Sequence, residues 1–242
     1  MKHPFRCQIL PYFTMGAGGI GLALRLWLFS AVDEKGLLPA KHPAGSALFL
    51  LSALVLGILF LATRQPEVRP FRKNSLRLLN TAAYVLGGIG LILNAAVVLP
   101  SSSAKLALPA MGLCLFGGLV MLFMAFLTFR NKPLAYWLPG ILTLVLMIDT
   151  VAQCQVWGAE PQLQVYFFPL MASVLLILTA YQKTALLAGK GKRTLLAFFS
   201  QAAAFFCCLS GNSQQKLLYI SMFLWAILQL FPVPRVKKEA QE

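Results

Sequence analysis

Two charged side chains of opposite sign lie deep within apolar stretches of this sequence. Arg25 follows a run of glycine and leucine residues, and Asp149 lies inside a second apolar block. A guanidinium does not lose its charge in proteins, and an isolated charge inside a bilayer is costly. Each side chain therefore needs a polar partner at its own depth, which in a membrane protein often marks a ligand or ion pathway.

Two amides accompany these charges. Gln153 follows Asp149 by four residues, so both side chains lie on one face of a helix. Asn94 occupies the position that matches Arg25 in a motif that occurs twice. Arg25, Asn94, Asp149 and Gln153 are therefore the candidate residues of a ligand or ion pathway. A structural role is the alternative: Arg25 and Asp149 form a pair that only joins helices, or Arg25 extends to the surface while water solvates Asp149.

The composition identifies the class of protein. Hydrophobic residues make up 59% of the 242 residues and charged residues only 12%, whereas about 25% is usual in soluble domains. The apolar blocks are each close to the ~20 residues that a helix needs to cross a bilayer. The expected fold is an all-α polytopic membrane bundle in one transmembrane domain, 1–242. It has about eight spans, near residues 9–32, 44–62, 79–99, 106–129, 134–156, 163–182, 194–210 and 217–233.

The basic residues predict the orientation of the spans. They lie at the ends of the apolar blocks, so the net charge of +14 does not indicate a nucleic-acid-binding face. Sixteen of the 21, Lys183 among them, fall in segments on the side of the N-terminus, and four fall in loops on the other side. Because cytoplasmic segments carry the excess of lysine and arginine, we expect a multi-pass cell-membrane protein with both termini cytoplasmic.

The seventh predicted span is the weakest. It contains Ser200 and Gln201, and the polar stretch 211–216 follows it. A segment that only re-enters the membrane is the alternative. The basic cluster Arg235, Lys237 and Lys238 after the last apolar block favours a full crossing.

Aromatic and cysteine residues are expected to have structural roles. Aromatic side chains near the predicted span ends suit the membrane interface, namely Tyr12, Trp27, Tyr136, Trp157, Tyr181 and Tyr219. The five cysteines have neither CxxC spacing nor histidine partners in range, so they predict no disulfide framework and no metal site. We expect them to be small apolar residues within helices.

A glycine-rich motif occurs twice in the chain. Residues 18–25 match residues 87–94 at six of eight positions, and each copy is followed by a loop, a Pro-Ala pair and another apolar block. This pattern predicts duplicated helical hairpins, although apolar sequences also match by chance. Gly18, Gly21 and Arg25 share one helical face, so a neighbouring helix can approach there and Arg25 should point into the bundle.

The segment after the first span carries a second pattern. Arg25 is followed by Asp33, by Gly36-Leu37-Leu38 and by His42-Pro43. This arrangement resembles a type found in uncharacterised bacterial multi-span membrane proteins, and the resemblance implies no activity. In size and apolarity the chain also resembles the substrate-capture subunits of vitamin transporters, which usually have six spans, but no motif is shared with them.

The motifs of common enzyme classes are missing from the sequence. It has no GxSxG or HExxH motif, and Gly189-Lys190-Gly191-Lys192 lacks the spacing of a phosphate loop. No catalytic residue, metal or cofactor is predicted, and an enzyme is not favoured. The favoured function is a small-molecule binding or transport component with an outward-facing polar pocket. It needs an ion gradient or a partner ATPase subunit. The alternative is a non-transporting membrane scaffold or regulatory subunit, and the lipid bilayer is a partner in both cases.

The predicted topology has a direct test. Single cysteines at Ser102 and Asn212 are expected to react with a membrane-impermeant thiol reagent added to intact cells, because both positions fall on the outer side. The background labelling of the native cysteines is measured in parallel. Protection of either position in intact cells, with labelling only after lysis, contradicts the predicted topology.

Overall fold

The described part of the chain is folded into eight α-helices. The computed structural model describes residues 6–31, 42–63, 75–97, 107–130, 132–157, 163–212 and 215–228. Within these ranges all regular structure is helical, which confirms the all-α prediction. The helices are α1 (Arg6–Ser30), α2 (Pro43–Thr63), α3 (Ser75–Val97), α4 (Ala107–Phe129), α5 (Trp137–Trp157), α6 (Leu163–Leu187), α7 (Arg193–Leu209) and α8 (Lys216–Ile227).

Six of these helices, α1 to α6, are long and apolar enough to cross a membrane. The chain is therefore a multi-pass integral membrane protein. The last two helices are shorter, with 17 residues in α7 and 12 in α8, against the ~20 that a crossing needs. A short 3₁₀ turn, Ser210–Asn212, follows α7.

One helix end differs from the prediction in a way that matters for function. The sequence indicated a span that ends near residue 182 and a loop that contains Lys183. In the structure α6 continues to Leu187, and Lys183 is a buried residue within it. The assignment of Lys183 to a loop is wrong, because the apolar residues after it extend the helix by one more turn.

α7 lies at the centre of the bundle. It packs against α1 and α2 on one side and against α6 and α8 on the other. α3, α4, α5 and α6 form a row in which each helix contacts the next, and α3 also contacts α8. Most of α7 is buried, including the continuous run from Ser200 to Cys207. The α7–α8 hairpin therefore lies between the α1–α2 pair and the row α3 to α6.

The turn of this hairpin lies below the end of α1. A Cβ atom on Gly21 would lie 2.6 Å from Cδ1 of Leu209, so the end of α7 is level with Gly21. α1 continues from there to Ser30, which is nine residues further and roughly 13 Å of helix. Leu209 and Ser210 have no exposed surface. The start of this turn is therefore buried within the bundle.

Both copies of the glycine motif contact the hairpin. Gly18 lies against α7, and Gly90 lies against α8. The copies differ at their middle glycine: a Cβ on Gly88 would lie 2.9 Å from the carbonyl oxygen of Gly118 in α4, whereas Gly19 has nothing within 4 Å. The motif thus brings α1 and α3 close to the hairpin, and only its second copy also joins α3 to α4. Superposition of the two predicted hairpins stays a prediction.

The close contact of α3 with α4 gives a stability prediction. Gly118→Ala is expected to lower the free energy of unfolding by about 1–3 kcal/mol, because the site has no room for a methyl group. The added Cβ would lie 2.6 Å from Cγ1 of Ile92 and 2.9 Å from the carbonyl oxygen of Gly88. Thermal melting in detergent measures the change. Gly112→Ala in the same helix is the control, since nothing lies within 4 Å of its Cβ. Equal melting temperatures for the two variants contradict the close contact of α3 with α4 at Gly118.

Candidate ligand or ion site

The carboxylate of Asp149 is the centre of a buried polar cluster. Its Oδ1 accepts a hydrogen bond from the thiol of Cys114 in α4, with 3.5 Å between Sγ and Oδ1. Its Oδ2 accepts a hydrogen bond from the amide of Gln153, one turn further along α5. Only 2% of Asp149 is exposed. Among the residues that the structure describes, the partners of this carboxylate are therefore neutral groups.

Tyr219 extends the cluster from α5 to α6 and α8. Its hydroxyl lies 3.4 Å from Oε1 of Gln153 and 3.2 Å from the carbonyl oxygen of Pro169. The hydroxyl of Ser173 lies 3.1 Å away and either oxygen can be the donor. A phenol has one proton and donates to one acceptor at a time, and its oxygen can also accept. The Tyr219 hydroxyl therefore connects Gln153, Ser173 and the backbone of Pro169 in one network. We call the side chains of Cys114, Asp149, Gln153, Ser173 and Tyr219 the Asp149 cluster.

Asn94 lies level with this cluster and has an unusual environment. It is 1% exposed, and within the described residues neither Oδ1 nor Nδ2 of its amide has a hydrogen-bond partner. Gly118 of α4 contacts both Gly88 and Ile92 of α3. Because the two helices run in opposite directions, Cys114, one turn before Gly118, is level with Asn94. The amide therefore offers a free donor and a free acceptor at the depth of the Asp149 cluster.

Arg25 occupies the other side of the hairpin. Its Nη1 donates a hydrogen bond to the carbonyl oxygen of Leu209, the last residue of α7. Its guanidinium carbon lies 5.4 Å from the ring centroid of Phe29 and 5.5 Å from that of Phe168. A cation here matches the negative end of the helix dipole and satisfies a carbonyl that has no partner within the helix. Arg25 is 2% exposed, which confirms that it points into the bundle.

The structure brings Arg25 and Asp149 into neighbouring sites but does not join them. Within the described residues, Arg25 donates to the end of α7 and no hydrogen bond links it to Asp149. The two sites meet at α6: Phe168 lies against the guanidinium, and the next residue, Pro169, accepts from Tyr219. The direct pair was the structural alternative considered from the sequence; among the described residues the two sites are instead connected through α6 and α8.

A second buried cation lies in the opposite half of the bundle. Lys183 is 3% exposed, and its Nζ donates a hydrogen bond to the hydroxyl of Tyr84. Nζ also lies 4.5 Å from the ring centroid of Tyr84 and 5.9 Å from that of Trp225. Such cation–π contacts stabilise an ammonium away from water. Sequence reasoning missed this residue because a lysine near the end of an apolar block resembles a loop boundary.

Three members of the Asp149 cluster were not predicted as site residues. Cys114 lies in a helix and in the apolar core as expected, and its thiol in addition donates to Asp149. The expectation that Tyr219 is an interfacial anchor is wrong, since it is 1% exposed. Ser173 carries no local signal at all. The other tyrosines assigned to the interface are exposed, namely Tyr12, Tyr136 and Tyr181. The side chain of Trp157 lies outside the described residues.

Comparison with known proteins adds no family or function. No family model matches the chain, and no curated protein or solved structure is significantly similar to it. The resemblance to bacterial multi-span proteins stays a prediction, and residues 33–41 of that pattern lie outside the described residues. In the described ranges, no group of three or more His, Cys, Asp or Glu side chains could hold a metal ion. The function must therefore be inferred from the geometry of the site.

Double-mutant cycles test which residue is the partner of Asp149. Gln153→Leu is expected to destabilise the protein by about 1–3 kcal/mol, because it removes one donor from a buried carboxylate. Combined with Asp149→Leu it should be less destabilising than the sum of the single changes, by about 0.5–3 kcal/mol. The double variant Arg25→Met with Asp149→Leu is the comparison, and its destabilisation should be closer to the sum of its two single changes. Thermal melting in detergent provides the values. A larger coupling for Arg25 than for Gln153 identifies Arg25 as the direct partner.

Proposed function

We propose that this protein is a membrane transport component in which Asp149 binds a cation or the coupling proton. One observation carries the proposal: a buried carboxylate whose partners, among the described residues, are the neutral side chains of Cys114 and Gln153. Asn94, with no partner for its amide in the described ranges, lies level with it. These groups together supply oxygen ligands and hydrogen-bond donors around one acidic side chain.

The energetics of a charge in a bilayer support this proposal. An ionised aspartate at this depth is costly, and hydrogen bonds from a thiol and an amide reduce the cost without neutralising the charge. A proton or a bound cation neutralises it. The neighbouring hydroxyls of Tyr219 and Ser173 and the amides of Asn94 and Gln153 suit a small cation such as Na⁺ or K⁺, or the ammonium group of an organic ligand.

The position of Asp149 supports a pocket that opens to one side. It lies eight residues before the end of α5 at Trp157 and twelve residues after its start at Trp137. The end of α5 that is nearer to Asp149 lies on the side that the distribution of basic residues predicts to be outside the cell. An outward-facing site is therefore the favoured arrangement. Without a phosphate-loop motif in the sequence, the energy for transport must come from an ion gradient or from a partner ATPase subunit.

A scaffold is the second candidate, and it makes a different prediction. In a scaffold the Asp149 cluster only joins α4, α5, α6 and α8, so its contribution to stability does not depend on which cation is present. In a binding component the occupied site stabilises the folded protein by mass action, with about 2.7 kcal/mol at a hundredfold excess over Kd.

Thermal melting of the purified protein in detergent distinguishes the two candidates. The probes are NaCl, KCl and methylammonium chloride at equal ionic strength, with choline chloride as the reference, each at several values of pH. We expect one of the cations to raise the melting temperature of the natural protein above its value in choline chloride at the same pH. Asp149→Asn should remove that response, because the neutral amide neither attracts a cation nor takes up a proton in this range.

Thr143→Val is the matched control on the same helix. The Thr143 hydroxyl donates only within α5, to the carbonyl oxygen of Pro139, so the variant should keep the full response. If the natural protein responds to none of these conditions, or if Asp149→Asn responds like the natural protein, the cation-binding function is rejected in favour of the scaffold.

A further inference from the structure

The α7–α8 hairpin connects the two buried sites of the outer half. The last residue of α7, Leu209, accepts the hydrogen bond from Arg25. Ten residues later in α8, Tyr219 reaches Gln153 and Pro169 with its hydroxyl. A shift or rotation of the hairpin therefore changes the position of this hydroxyl relative to the Asp149 cluster.

We propose that Arg25 is a positioning residue for the cation site: it fixes the turn of the hairpin and so sets Tyr219 against Gln153. This inference rests on the proposed function of Asp149. Arg25 itself stays outside the Asp149 cluster and acts through the backbone of α7.

The need for such a fixing residue follows from where α7 ends. Leu209 is fully buried, so bulk water does not replace a lost side-chain donor at its carbonyl group. Without Arg25 this carbonyl keeps only the backbone contacts of the 3₁₀ turn that follows, and the end of α7 is then free to move or unwind. α1 packs on α7 and on the 3₁₀ turn, so Arg25 is the group through which α1 can influence the cluster on α5.

The effect on the site passes along a short chain of contacts. Gln153 donates through its nitrogen to Oδ2 of Asp149, and its Oε1 faces the hydroxyl of Tyr219. When Tyr219 moves away, the amide loses the contact that fixes its orientation. Its nitrogen is then less well placed on the carboxylate, and cation binding at Asp149 should weaken about tenfold, the equivalent of one hydrogen bond.

Fluorine NMR tests the positioning without any ligand. The protein is labelled with 3-fluorotyrosine in detergent, and the Tyr219 line is the one that disappears in Tyr219→Phe. We expect that line to shift or broaden in Arg25→Met and to return towards its natural position in Arg25→Lys, which restores a donor. Arg25→Leu, which also lacks a donor, replaces Arg25→Met if the latter does not fold.

Leu59→Ala provides the control for a general loss of stability. Leu59 is a fully buried residue of α2, and its truncation should lower the melting temperature strongly, because it leaves a cavity in the core. It should leave the Tyr219 line unchanged. An unchanged line in Arg25→Met, or an equal change in Leu59→Ala, overturns the positioning role.

A second measurement ties the positioning to cation binding. With the cation identified by thermal melting, Arg25→Met should weaken its apparent affinity about tenfold in the natural background. In the Tyr219→Phe background the same change should have almost no further effect, because the contact that it acts through is already missing. Independent, additive effects overturn the proposal. If the natural protein binds none of the cations, the proposed function fails, and the NMR experiment still decides whether Arg25 positions Tyr219.

Discussion

A helix that ends inside a bilayer leaves carbonyl groups without partners, and no water is present to bind them. α7 ends at the fully buried Leu209, and Arg25 donates to its carbonyl group. This hydrogen bond joins α1 to the buried end of α7. It lies at the turn that leads into α8, the helix that carries Tyr219.

The glycine motifs have a related role. Gly18 and Gly21 bring α1 close to the end of α7, at the depth where Arg25 is needed, and Gly90 brings α3 close to α8. Asp149 lies in one half of the bundle and Lys183 in the other. The two halves therefore hold a carboxylate site and an ammonium site that has its own aromatic neighbours.

The sequence was sufficient to predict features that depend on one helix at a time. Eight helical segments, the inward direction of Arg25 and the shared face of Asp149 and Gln153 all follow from composition and from the helical period. Features that depend on which helices face each other were not accessible. Cys114 and Tyr219 contribute to the site only because α4 packs next to α5 and α8 packs next to α6. No local sequence pattern indicates which helices pack against each other. The sequence did indicate that the seventh predicted span is the weakest, and α7 is shorter than α1 to α6.

The depth of Asp149 also has an electrical consequence. The carboxylate lies eight residues from the end of α5, roughly 12 Å into a hydrocarbon core of about 30 Å. A cation that reaches it from that side has crossed about two fifths of the membrane potential. Since a full crossing at 100 mV is worth about 2.3 kcal/mol per charge, this part is worth about 0.9 kcal/mol. If Asp149 binds a cation from that side, as proposed, its occupancy depends on voltage, with a change of about fivefold in apparent affinity per 100 mV.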